Sequence, residues 1–122
     1  HVHKVAVLSL TYKPDVDDFR ESPAIEVAKH LSEAGASVKC YDPFYTTQTI
    51  EGAEVSANLT DTIQEAQALV VLVAHQQICA LKPEVLARET PARLVVDTVN
   101  VFTQQDWSEA GFRLVRLGTG SR

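Results

Sequence analysis

The chain has 122 residues, 45% of them hydrophobic, and a formal net charge of −5 at pH 7. That length suits one domain able to bury a core, and a mean hydropathy of −0.05 excludes both a disordered chain and a membrane-embedded one. The acidic balance argues against a nucleic-acid partner, which would need a basic surface.

No apolar run approaches the ~20 residues of a bilayer span, and the N-terminus lacks a secretory pattern. Two cysteines, Cys40 and Cys79, supply neither a disulfide framework nor a zinc site, so no metal is expected and the expected setting is the cytoplasm. The chain holds no methionine, even at its start, which marks it as a fragment or a processed piece.

Residues 1–4 form an irregular lead-in. Val5-Ala6-Val7-Leu8-Ser9-Leu10 is short, apolar and rich in branched side chains, which predicts a buried strand over 5–10. A polar stretch follows, Thr11-Tyr12-Lys13-Pro14-Asp15-Val16-Asp17-Asp18-Phe19-Arg20-Glu21. Ser22 as cap and Pro23 as first residue then open a helix over 23–34. Its Ala24, Val27, Ala28 and Leu31 make one buried stripe, and Gly35 is a left-handed stop. A strand over 37–41 ends in Asp42-Pro43, completing a β-loop-α-β unit that should be parallel and right-handed.

The span 44–52 has no period and is expected to be loop, with a short edge strand over 54–56. Asp61 and Gln64 resemble a capping box opening a helix to 66. Ala68-Leu69-Val70-Val71-Leu72-Val73-Ala74 is continuously apolar, which predicts a central parallel strand and the most buried segment of the chain. A weaker helical stretch, a helix over 83–88, a strand over 93–98, a helix over 103–110 stopped by Gly111, and a strand over 112–116 complete the pattern. Strands alternating with short helices predict a Rossmann-like, doubly wound α/β fold, a mostly parallel sheet with helices on both faces. It is read as a single domain over 1–122, with 118–122 a flexible tail.

In such a sheet, ligands sit beyond the carboxyl ends of the strands. The residues there are Lys13 and Arg20 after the first strand, Asp42 after the second, His75 after the central strand and 97–100 after the next. Lys13 and Arg20 beside a helix start suit an anion, although both could pair with neighbouring aspartates as a solvated loop. His75 either caps the following helical turn or touches a ligand. Asp42 and Asp97 are expected to be structural, bonding nearby backbone. The first strand is followed by Ser9-Leu10-Thr11-Tyr12-Lys13 where a dinucleotide fingerprint would place three glycines, so side-chain cations replace backbone amides here. Asp15-Val16-Asp17 lacks the downstream glycine and glutamate of a calcium loop. Asn58-Leu59-Thr60 matches a glycosylation acceptor, which carries no weight without secretion. Neither cysteine has a visible activating partner, so no catalytic residue is assigned.

The aromatic-Lys-Pro of 12–14, the Asp18-Phe19-Arg20-Glu21-Ser22-Pro23 that follows, Tyr41-Asp42-Pro43, the strand into His75 and Val95-Val96-Asp97-Thr98 together resemble the C-terminal, nucleotide-sugar-binding domain of UDP-glucose/GDP-mannose dehydrogenases. The wording of 18–24 leans toward the UDP-N-acetylmannosamine branch. The resemblance implies an NAD-dependent enzyme of polysaccharide biosynthesis that oxidises the C6 alcohol of a UDP-sugar to a carboxylate in two steps. It implies NAD bound mainly by an N-terminal domain, a catalytic cysteine outside this domain, N-terminal and central domains as partners, and a homo-oligomer.

By position, Tyr12 would pack on the base and Lys13 would contact the nucleotide sugar. Arg20 would reach the NAD, with Asp18 orienting it. Two departures stand out: Ser9 replaces a glycine, and Val99 replaces an arginine that often helps hold the nucleotide. The alternative is a module that binds a nucleotide sugar without oxidising it.

Overall fold

The computed structural model describes residues 4–8, 23–42, 52–56 and 58–116. Its strands are β1 (Lys4–Leu8), β2 (Ser37–Tyr41), β3 (Ala53–Ser56), β4 (Ala68–Val71), β5 (Leu94–Asp97) and β6 (Arg113–Arg116). Between them lie α1 (Pro23–Glu33), α2 (Leu59–Ile63), α3 (Gln76–Cys79), α4 (Pro83–Glu89) and α5 (Gln104–Glu109). The strands form one sheet in the order β3-β2-β1-β4-β5-β6, and every pair is parallel. This is the doubly wound order in which connections diverge from the centre, with the switch between β1 and β4.

Period-two alternation along the strands splits the core into two layers. Ala6 and Leu8 of β1, with Tyr41, Leu69, Val71 and Val95, face the layer that holds Ile63, Leu86, Trp107 and Phe112, so α2, α4 and α5 cover that side. Val5 and Val7, with Val38 and Cys40, face the other layer, which Ala28 of α1 joins. Helices therefore cover both faces, as expected.

Two helices end in the same way. After α1, the Gly35 N–H donates to Ser32 O at 3.0 Å and the Ala36 N–H to Leu31 O at 3.1 Å. After α5, Gly111 donates to Ser108 O and Phe112 to Trp107 O, both at 3.0 Å. These are Schellman closures, and their left-handed residue suits glycine: φ is 102° at Gly35 and 100° at Gly111. The expected glycine stops are both present.

Several expectations need correction. β4 ends at Val71 rather than running to 74, because Thr98 closes its end: both the amide and the hydroxyl of Thr98 donate to Val71 O, at 3.1 and 2.8 Å. Residues 72 and 73 stay apolar because Leu72 and Val73 pack into the second layer. β4 is also not the most buried segment: β1 is buried at every position from Val5 to Leu8, whereas Val70 is half-buried. α2 starts before the expected capping box, because the Asn58 side chain accepts the Asp61 N–H at 2.9 Å and caps the helix itself.

Candidate functional site

β1 lies between β2 and β4, with Leu8 in register with Tyr41 on one side and Val71 on the other. The carboxyl ends of these three strands form the switch point, where a crevice opens in sheets of this order. Tyr12, Lys13, Asp18 and Arg20 fall between the end of β1 and the start of α1, outside the described residues.

Among the described residues, the floor of this region is polar and buried. Asp42, directly after β2, and His75, in the segment after β4, are both fully buried, and Asp42 Oδ2 lies 3.4 Å from His75 Nε2. The Asp42 N–H donates to Ser56 O at 3.3 Å. Beside this pair the Tyr41 hydroxyl donates to Gln77 Oε1 at 3.2 Å. Burial, and secondarily the charge of Asp42, pushes the Tyr41 phenol above its ordinary pKa, so it stays a hydrogen-bond donor.

His75 does occupy the capping position of α3, but through its backbone. Its carbonyl accepts from the Ile78 and Cys79 amides, both at 2.9 Å, and its ring makes no capping bond. The ring meets Asp42 instead. Asp97 behaves as expected of a strand-end aspartate: Oδ1 accepts the Val99 N–H at 3.0 Å, and Oδ2 accepts those of Val101 and Phe102 at 2.8 and 2.9 Å. These bonds fix the turn after β5, in which Asn100 has φ 58°. Val99 packs against the main core layer, so its side chain serves that turn as an apolar anchor.

Cys40 lacks the surroundings of a nucleophile. Burial pushes the Cys40 thiol up to about 12, which suppresses the thiolate at neutral pH. Cys79 is exposed, with Sγ 3.7 Å from Ala74 O. Among the described residues no helix is long and apolar enough to cross a membrane.

The chain matches a family model described as the UDP-glucose/GDP-mannose dehydrogenase family, UDP binding domain, over residues 6–104. It is 36% identical over 118 residues to a UDP-glucose 6-dehydrogenase of Rhizobium meliloti (strain 1021), covering 94% of this chain and 27% of that protein. It is 33% identical over 122 residues to a UDP-N-acetyl-D-mannosamine dehydrogenase of Methanocaldococcus jannaschii, covering 98% of this chain and 28% of the other. The fold matches the crystal structure of an NDP-N-acetyl-D-galactosaminuronic acid dehydrogenase from Methanosarcina mazei Go1 with a TM-score of 0.86 at 29% identity, over 95% of this chain and 24% of that one. The chain thus spans about a quarter of the length of these relatives.

Proposed function

The chain belongs to the UDP-glucose/GDP-mannose dehydrogenase family, and from that premise we propose that it is the UDP-sugar-holding domain of an NAD-dependent UDP-sugar dehydrogenase. The observation that supports this reading is the position of β1 at the switch point of the sheet, because in the sequence the Tyr12 to Arg20 stretch follows that strand. In this proposal the whole domain, 1–122 with 118–122 as a flexible tail, serves that site. Tyr12 packs on the uracil ring, and Lys13 supplies a charge-assisted hydrogen bond to the nucleotide sugar. Arg20, oriented by Asp18, offers a planar charged fork to a pyrophosphate.

The first β-to-α turn does not fit NAD as its main site, because Ser9-Leu10-Thr11-Tyr12 cannot let a pyrophosphate approach the backbone as glycines do. We therefore place NAD on an N-terminal domain, with Arg20 as this chain's contact to it. The oxidation of the sugar C6 alcohol then belongs to the whole enzyme, a cytoplasmic homo-oligomer of polysaccharide biosynthesis, and the isolated chain does not reduce NAD.

Calorimetric titration of UDP against this chain tests the site. Lys13→Ala should weaken UDP by roughly 1.5–3 kcal/mol, the worth of a hydrogen bond to a charged group. In the whole enzyme Arg20→Ala should weaken NAD, and Arg20→Lys should not restore it, since the bidentate fork is gone. Unchanged dissociation constants in both alanine variants would leave the stretch a solvated turn. Steady NADH production by the isolated chain would place the chemistry elsewhere than proposed.

A further inference from the structure

β2 and β4 are not neighbours; β1 runs between them. With strands about 4.8 Å apart, their axes are separated by about 9.6 Å, so only side chains leaving the strand ends can join them. Among the described residues two such links cross the same gap. Asp42 meets His75 at 3.4 Å, and Tyr41 meets Gln77 at 3.2 Å. Each runs from the end of β2 to the segment that opens α3, over the carboxyl end of β1.

The composition of this link is costly for a purely structural device. A buried carboxylate and imidazole lose their hydration, and apolar side chains of similar size commonly stabilise a core as well or better. Asp42 and His75 are nevertheless both 0% exposed, at the switch point, where sheets of this order bind their ligands. Full burial means that they act by holding position rather than by touching a bound molecule. Directional polar contacts fix relative geometry in a way that non-directional apolar packing does not.

We infer that Asp42 and His75, with the Tyr41–Gln77 hydrogen bond beside them, form a bracket across the end of β1 that sets its exit geometry and makes them positioning residues for UDP-sugar binding. The binding half of this inference rests on the reading under Proposed function; the bracket itself rests on the geometry alone.

Asp42→Asn, Tyr41→Phe, His75→Gln and the Asp42→Asn/His75→Gln double variant of the chain are compared by backbone hydrogen exchange and by UDP titration. The bracket predicts exchange at least tenfold faster at Val7, Leu8 and Val71, with Leu114 and Val115 of β6 unchanged as an internal standard. It also predicts UDP binding weakened about tenfold in Asp42→Asn, with the loss in the double variant smaller than the sum of the single losses, since the two residues share a link.

Wild-type protection at the end of β1 in the folded variants would overturn the bracket. Faster exchange there with unchanged UDP affinity would overturn the positioning role. Should His75→Gln fail to fold, the near-isosteric Asp42→Asn and Tyr41→Phe decide alone. If the wild-type chain itself takes up no UDP, the proposed function falls, and the exchange measurement still decides the bracket.

Discussion

The two faces of the sheet are built to different weights. One carries Leu8, Leu69 and Val71 against Ile63, Leu86, Phe102, Trp107 and Phe112, all buried. The other carries Val5, Val7, Val38, Cys40 and Val73 against Ala28, and among the described residues it buries no side chain larger than valine. Burial contributes roughly 25 cal/mol per Å² of apolar surface, so among the described residues the aromatic face supplies more of the hydrophobic stabilisation. On the light face Ala28 is the only fully buried side chain described in α1, with Ile25 and Leu31 half-buried. Of the described side chains, α5 buries Trp107, whereas α1 buries only Ala28. Stability concentrated away from a site leaves the site side of a domain free to open locally.

The largest expected effect lies at the centre of the heavy face. Trp107 is stacked between Phe102 and Phe112, with ring centroids 4.2 and 5.1 Å away, and the Arg93 guanidinium lies 5.4 Å over the Phe112 ring. Trp107→Ala should cost about 3–5 kcal/mol of unfolding free energy. Val7→Ala on the light face removes two carbons and should cost about 2 kcal/mol. Urea unfolding of both variants checks the comparison; equal losses would mean that the faces carry equal weight.

The light face has a distinct signature in alkali. The Cys40 thiol rises from 9.0 to about 12 in the folded chain because burial disfavours its thiolate. Above about pH 9 the unfolded chain releases this proton while the folded chain keeps it. The unfolded state then binds fewer protons, so stability is whole below 9, falls as pH rises, and levels off near 12. At pH 10.5 the loss should be about 2 kcal/mol relative to pH 8. Cys40→Ala should remove that part of the decline. The Tyr41 phenol, raised in the same direction, leaves a smaller decline of its own. Parallel stability curves for wild type and Cys40→Ala between pH 8 and 10.5 would show that the thiol is not shielded.

What the sequence made legible follows from the range of the interactions. β1, α1 and β2 were readable because their signals are local: branched side chains, a proline at the helix start, a glycine at its end. The pairing of Asp42 with His75 was not, although both residues stood out as strand-end positions. They are 33 residues apart, beyond the ends of two strands that never touch, and only the β2-β1-β4 order brings those ends together. The end of β4 was misplaced for a related reason. Leu72 and Val73 keep the apolar character of a strand, but the closing partner is Thr98, the residue after β5. Asp97 was readable as structural because its three bonds reach no farther than Phe102. Tyr12, Lys13, Asp18 and Arg20 remain the sequence's own contribution to the proposed site.

The smallest expected effect tests how the heavy face recruits a helix too short to stand alone. α2 has only 5 residues, far below the ~12–15 at which isolated helices become marginal in water. Its Ile63 is nevertheless fully buried in the main core layer. Ile63 burial, the packing of Leu59 against the same core layer and the Asn58 cap hold the helix there. Asn58 Oδ1 takes the Asp61 N–H at 2.9 Å, and the Asn58 carbonyl takes the Thr62 hydroxyl at 2.9 Å. Only the first of these bonds needs the side chain, so Asn58→Ala should cost about 1 kcal/mol, and Asn58→Asp should keep most of the cap while placing a negative charge at the helix start. Thermal melts of the three proteins separate the contributions. An Asn58→Ala chain as stable as wild type would mean that the packing of Leu59 and Ile63 fixes α2, and that the short helix belongs to the heavy face by packing rather than by capping.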